Sequence, residues 1–232
     1  MPLRRPSLSL DPPHRAARLA PSGIAPCVTQ LGFAGVVYDR DNLLVLYGAA
    51  DALGVDGALA VMRVLSAVGL FTFMPAMGIA MGAQPIVGYN YGARSSQRIQ
   101  QATRLSLLMT TAIMALGTVI FQVRRPLLSL FSASDTMLSI GIPALRIISV
   151  SFCFAGVAIV FSSVFQALGD GMLSLVMSAV RQLLLLLPCA FVLAKLGGLD
   201  AVWFSFLIAE VASVTLAVVF YRSLYNKKIR HI

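Results

Sequence analysis

The sequence predicts an all-α polytopic membrane protein with six transmembrane helices, and three observations carry that prediction. Apolar residues make up 58% of the chain and charged residues only 12%, with a mean hydropathy of +0.86. Nine acids and eighteen bases cannot cover a water-soluble core of 232 residues, so hydrocarbon must be the surrounding solvent. The apolar residues also fall into runs of the length needed to cross a bilayer as helix, about 20 residues. No run alternates as a barrel strand does, and a helix satisfies its own backbone in lipid.

The spans lie at about 22–48, 53–81, 101–122, 137–165, 172–195 and 199–221. Breaker chemistry separates them. Gly48 to Gly57, with Asp51 and Asp56, divides the first two, and Arg124-Arg125-Pro126 divides the third from the fourth. Gly169-Asp170-Gly171 and Gly197-Gly198 bracket the fifth. Between the second and third stands GIAMGAQPIVGYNYGARSSQR, residues 78–98. The second helix is expected to end near Met81 and the chain to turn sharply, because Pro85 has no N–H and disfavours a helical Gln84. Gly88 and Gly92 admit backbone angles other residues resist. Tyr89 and Tyr91 suit the membrane–water boundary, and Arg94 and Arg98 suit an anionic lipid surface.

Positive charge sets the expected sidedness. With both ends cytoplasmic, eleven bases lie inside, among them Arg94, Arg98, Arg104, Arg222, Lys227 and Lys228. Only Arg40, Arg124, Arg125 and Lys195 lie outside. Residues 1–20 then form a polar cytoplasmic segment, 21–225 a six-helix membrane lobe, and 226–232 a basic cytoplasmic tail. Charges and Pro12-Pro13 interrupt any apolar core near the N-terminus, so it does not read as a signal peptide.

Other classes find little support. The net charge of +9 is scattered between apolar segments rather than gathered on one face, so nucleic acid is not an expected partner. Cys27, Cys153 and Cys189 sit in apolar runs without CxxC spacing, and His14 and His231 lie in polar tails. Neither a disulfide framework nor a metal site is expected, and no cofactor. There is no HExxH, GxSxG or Walker loop. An intramembrane transferase using Asp39 or Asp170 is the one enzymatic alternative. Without a nucleotide-binding loop, an ion gradient is the natural source of energy for any transport.

The breaker string resembles the cytoplasmic loop after the eighth helix of the multidrug and toxic compound extrusion (MATE) transporters. That loop has a small-residue-rich helix end, Gln-Pro, then GYNYGA and a base, here Gln84, Pro85, Gly88, Tyr89, Asn90, Tyr91 and Gly92. VFQALGDGMLSLVMSAVRQ at 164–182 is similar to the family's eleventh-helix region, with Gln166, Gly169, Ser174, Arg181 and Gln182 on motif positions and Pro188 following. GGLDAVWFSFLIAE at 197–210 resembles the start of the twelfth helix, including Trp203 and Glu210. DNLLVLYGAADALG at 41–54 looks like the outer end of the seventh. The matches run in family order over about nine-tenths of the chain, but only against the second half of a twelve-helix family, and no internal repeat is found.

The resemblance implies one lobe of a V-shaped antiporter whose cavity opens toward a partner lobe. It implies export of cationic small molecules in exchange for H+ or Na+ across a bacterial inner membrane. Two rivals stand beside it: a truncated or degenerate half that transports nothing alone, and a half that pairs with another six-helix lobe or a second copy of itself. Membrane lipid is a partner on every reading.

Charges within spans mark the candidate site, because each costs about 2.5–3.5 kcal/mol near the bilayer centre on insertion scales. Arg181 and Glu210 lie at similar depth on adjacent helices and are expected to meet. Glu210, modulated by Arg181 and Gln182, either couples to H+, Na+ or a cationic substrate, or serves as a buried pair fixing helix register. In the first hairpin, Asp39 or Asp41 is a candidate partner of Arg63, while Asn42 is the residue that fits the family motif; the alternative is solvated charge. Met74, Met77, Met81, Met109, Met114, Met172 and Met177, with Phe71, Phe73, Phe152, Phe154, Phe161 and Phe165, either line a pocket for flat cations or, as such residues more often do, face lipid or fill the core. Gly69, Gly78, Gly82, Gly141 and Gly156 are candidates for close helix approach, and Pro75, Pro143 and Pro188 for bends.

Overall fold

The computed structural model describes residues 54–122 and 135–230 of the chain. They form helices α1 (Gly54–Gly92), α2 (Ser96–Gln122), α3 (Asp135–Ala167), α4 (Gly171–Ala179) and α5 (Leu187–Leu224). A π-helical segment, Val180–Leu186, joins α4 to α5, and a second, Tyr225–Ile229, ends α5. Five stretches are long and apolar enough to cross a membrane: Gly69–Gly92, Ser96–Gln122, Gly141–Ala167, Gly171–Leu196 and Ala201–Ile229. Each overlaps one of the second to sixth expected spans, but Gly69–Gly92 begins sixteen residues later and ends eleven residues later than the expected 53–81, and the last runs eight residues past 221. The first, at 22–48, lies outside the described residues.

Helical backbone continues through Gly197-Gly198, yet the chain reverses there. Lys228 Nζ donates to Asp170 Oδ2 at 2.7 Å, and Arg181 donates to Glu210. Both pairs are centred on the Gly197-Gly198 region, so the two arms run antiparallel and α5 holds parts of two crossings.

The expected turn at Gln84–Gly92 does not form, and α1 runs unbroken through Pro85 to Gly92. A proline inside a helix forfeits one hydrogen bond, whereas opening the backbone in hydrocarbon would orphan several groups. The turn comes at Arg94, which adopts a left-handed φ of 56°. The Ser95 N–H donates to the Asn90 carbonyl at 3.0 Å and the Arg94 N–H to that of Tyr91 at 3.1 Å, the bond pair of a Schellman cap. The α3–α4 turn repeats it: Gly169 has φ 80°, with Asp170 N–H to Phe165 at 2.9 Å and Gly169 N–H to Gln166 at 3.1 Å.

Helix α3 is the hub, touching α1, α2, α4 and α5. Within its membrane window 61% of residues are buried in protein, against 17–39% in the other four. Phe152 takes the edges of Phe73 and Phe121 at centroid distances of 5.2 and 5.4 Å, beside Met114 and Trp203. Toward the Lys228 end, Phe161 packs on Phe165 and Tyr221. Short polar side chains tie helices together: Thr118 Oγ1 donates toward the Ser149 carbonyl at 2.8 Å, and Ser163 Oγ to that of Ala80 at 2.6 Å.

Two glycines permit close approach. A Cβ on Gly117 would sit 2.3 Å from Thr72 Cγ2, and one on Gly156 2.9 Å from Met114 Cγ. Gly156 is among those expected to do so, and Gly117 is not. Gly78 and Gly82 have nothing within 4 Å of such an atom, and Gly69 only an ordinary contact at 3.8 Å, which corrects their expected role.

Candidate functional site

The site forms where the sequence leaves α-helical geometry inside a span. Pro188 cannot offer an N–H to residue 184, and its ring crowds that carbonyl. The preceding turns are wound to i→i+5 bonds, with the Leu187 N–H on the Gln182 carbonyl. Such a bulge re-aims the side chains it contains and recurs at functional positions. Here it holds Arg181 and Gln182, and Gln182 is buried.

Arg181 Nη1 donates to Glu210 Oε1 across the hairpin. Arg181 lies ten residues after Gly171 and Glu210 nine after Ala201. At 1.5 Å per residue each is roughly 14–15 Å from an opposite end of the bundle, near mid-depth. Glu210 is 8% exposed, and its second oxygen, Oε2, is buried with no hydrogen-bond partner among the described residues. Ser213 Oγ, one turn along the same face, is also buried and unpartnered, as is Trp203 Nε1 two turns before Glu210. The buried face of α5 thus presents a half-satisfied carboxylate, a hydroxyl and an indole N–H.

The motif residues hold the scaffold beside this site. Ser162 and Ser174 share a hydrogen bond, and Gln166 Nε2 donates to Ser174 Oγ at 3.0 Å, joining α3 to α4. In the breaker string, Gly88 faces the α3 end, where a Cβ would make an ordinary contact of 3.5 Å with the Ala167 carbonyl. Asn90 is buried, with Nδ2 on the Ile86 carbonyl at 2.8 Å and Oδ1 unpartnered among the described residues. Tyr91 packs on the core, while Tyr89, Pro85 and Gly92 are exposed and Gln84 half-buried.

Arg63 is exposed on α1, and Asp39, Asp41 and Asn42, its expected neighbours, lie outside the described residues. Of the apolar pocket candidates, Phe71, Met74, Met77 and Met81 line one exposed face of α1. Met114, Met177, Phe152, Phe161 and Phe165 are core, the other of the two expected roles. Ser213 was not foreseen. A serine one turn after a glutamate is too common a spacing to single out.

Residues 49–192 match the MatE family model. The multidrug export protein MepA of Staphylococcus haemolyticus is 28% identical over 152 residues, covering 65% of this chain and 33% of the relative. MepA of Staphylococcus aureus is 26% identical over 141 residues, covering 58% and 30%. The chain thus spans about a third of the length of these relatives. Among solved structures, the Vibrio cholerae MATE transporter VcmN in its bent form superposes with a TM-score of 0.85 at 21% identity, over 95% of this chain and 49% of that one. An outward-facing multidrug resistance MATE family transporter of the MOP superfamily gives 0.85 at 19% identity, over 100% and 50%. With the family model matched over more than half its residues and its helices laid on half of solved transporters, the chain belongs to the MatE family and has the fold of one MATE lobe.

Proposed function

We propose that the chain acts as the second lobe of a secondary transporter that exports cationic small molecules in exchange for H+ or Na+. Family membership makes it a multi-pass membrane protein and places it among transporters rather than enzymes. The relatives' names as multidrug exporters support the substrate class. The observation that carries the proposal is the exposed face of α1. Phe71 is 78% exposed, Met74 68% and Met81 67%, with open space over Gly78 and Gly82. The exposed face of α2 is instead mainly aliphatic, with Leu105, Leu108, Leu116 and Val119 around a single thioether, Met109. Branched aliphatic side chains suit lipid, whereas polarizable thioethers and an aromatic face suit adaptable contact with flat cations. The α1 face is therefore the wall of a cavity whose other wall is a partner six-helix lobe, supplied in the same polypeptide, by another chain or by a second copy.

In this reading the membrane is the cell membrane of a bacterium, and the Lys228 end faces the cytoplasm, in keeping with the positive-inside count. Glu210 binds the coupling ion on its idle oxygen and Arg181 holds it poised. Reconstitution in vesicles tests the whole. With a first-half lobe co-reconstituted, a proton or sodium gradient should drive efflux of a fluorescent cation, and Glu210→Gln should uncouple efflux from the gradient. No gradient-driven efflux with any supplied lobe would overturn the transport reading. Coupling and substrate range unchanged in Glu210→Gln would leave Arg181–Glu210 as a register-fixing pair only.

A further inference from the structure

The geometry points to a binding site for one anionic phospholipid headgroup at the Lys228 end, in a groove between α2 and the last turns of α5. The groove encloses about 580 Å³. Arg104 stands on its α2 wall and Arg222 on its α5 wall, both exposed. Neither has a carboxylate within salt-bridge distance among the described residues, and no acid lines the groove. The acid described at this end, Asp170, is taken by Lys228 at 2.7 Å. Gln100 Nε2 donates to the Tyr225 hydroxyl at 3.0 Å, bridging the walls.

Two unpaired guanidiniums facing one groove are a fork for phosphate, which arginine binds in bidentate fashion. Polar side chains beside them, Gln100 and Asn226, suit the hydroxyls and ester oxygens of a headgroup. The lining then turns apolar at Leu107, one turn deeper into the span than Arg104, and Leu108 next to it is 60% exposed. A free anion has no use for that gradient from charge to hydrocarbon, whereas a phospholipid matches both parts of it. The occupant is therefore a lipid such as phosphatidylglycerol. Its placement in the cytoplasmic leaflet rests on the sidedness proposed above, but binding does not.

The test uses the full chain in nanodiscs of equimolar phosphatidylglycerol and phosphatidylcholine, with native mass spectrometry counting retained lipid. Wild type should retain phosphatidylglycerol in preference. Arg104→Gln/Arg222→Gln should lower that preference about fivefold per arginine removed. Arg98→Gln/Arg230→Gln, which removes equal charge at the same end but outside the groove, should leave it unchanged. Equal losses in the two variants would mean bulk attraction and overturn the site, as would absence of preference in wild type. Displacement by inorganic phosphate alone would reassign it to a free anion. A photoreactive phosphatidylglycerol on the unaltered chain gives a readout independent of variant folding. Label in peptides containing residues 100–107 and 221–226 is expected, and label confined elsewhere would refute the proposal. None of these results depends on efflux, so the site and the transport reading fail separately.

Discussion

Glu210 has one oxygen bonded to Arg181 and one bonded to nothing described, and that asymmetry gives the pair its interest. Removing the cation alone would leave a carboxylate in a nearly dry place. Arg181→Met should therefore lower stability in detergent by about 3 kcal/mol, read as a fall in unfolding midpoint. Arg181→Met/Glu210→Met should recover more than half of that loss, because two apolar groups leave no charge uncompensated. Additive losses would show that the two side chains do not act as a unit. Both charges were legible in the sequence, since ionisable residues inside apolar spans stand out, and helix counting from the loops placed them at matching depth. The buried, unpartnered Ser213 was not legible, because burial of a serine depends on which face of α5 meets α3.

The helices stop where backbone hydrogen bonds close, and this decided the one large misreading of an element. Gln84-Pro85 and the glycines after it carry the composition of a turn, yet α1 passes through them and caps at Arg94. The α3–α4 turn uses the same cap with Gly169, where composition and conformation agree. Left-handed backbone costs an L-residue with a Cβ roughly 1 kcal/mol or more. Arg94→Gly should therefore stabilise the chain by up to about 1 kcal/mol and Gly169→Ala destabilise it by a similar amount, both measurable by chemical denaturation in detergent. The same sign for both would contradict the caps. Gly117 carries a further prediction: Gly117→Ala drives a methyl into Thr72 and should cost about 1–3 kcal/mol by the same measurement. At Gly82, which has open space, alanine should change stability little.

At the scale of the whole molecule, α3 is buried on most sides while α1 keeps a Met-rich face uncovered. This is the shape of a lobe. If the Lys228 end is cytoplasmic, a cysteine placed at Asn226 should resist membrane-impermeant maleimide in intact cells and react after permeabilisation. Reaction from the exterior of whole cells would invert the assigned sidedness and leave the bundle itself intact.

The sequence by itself determined the solvent, the helical class and the approximate places of the five described crossings, though not the ends of the second or the far end of the last. Those follow from local arithmetic: apolar length against bilayer thickness, and the demand that every backbone group in hydrocarbon be bonded. Tertiary structure alone decided which glycines meet a neighbour, and which methionines are core and which are exposed. Each of these depends on what another helix places against the residue, and a single strand of sequence carries no record of that neighbour.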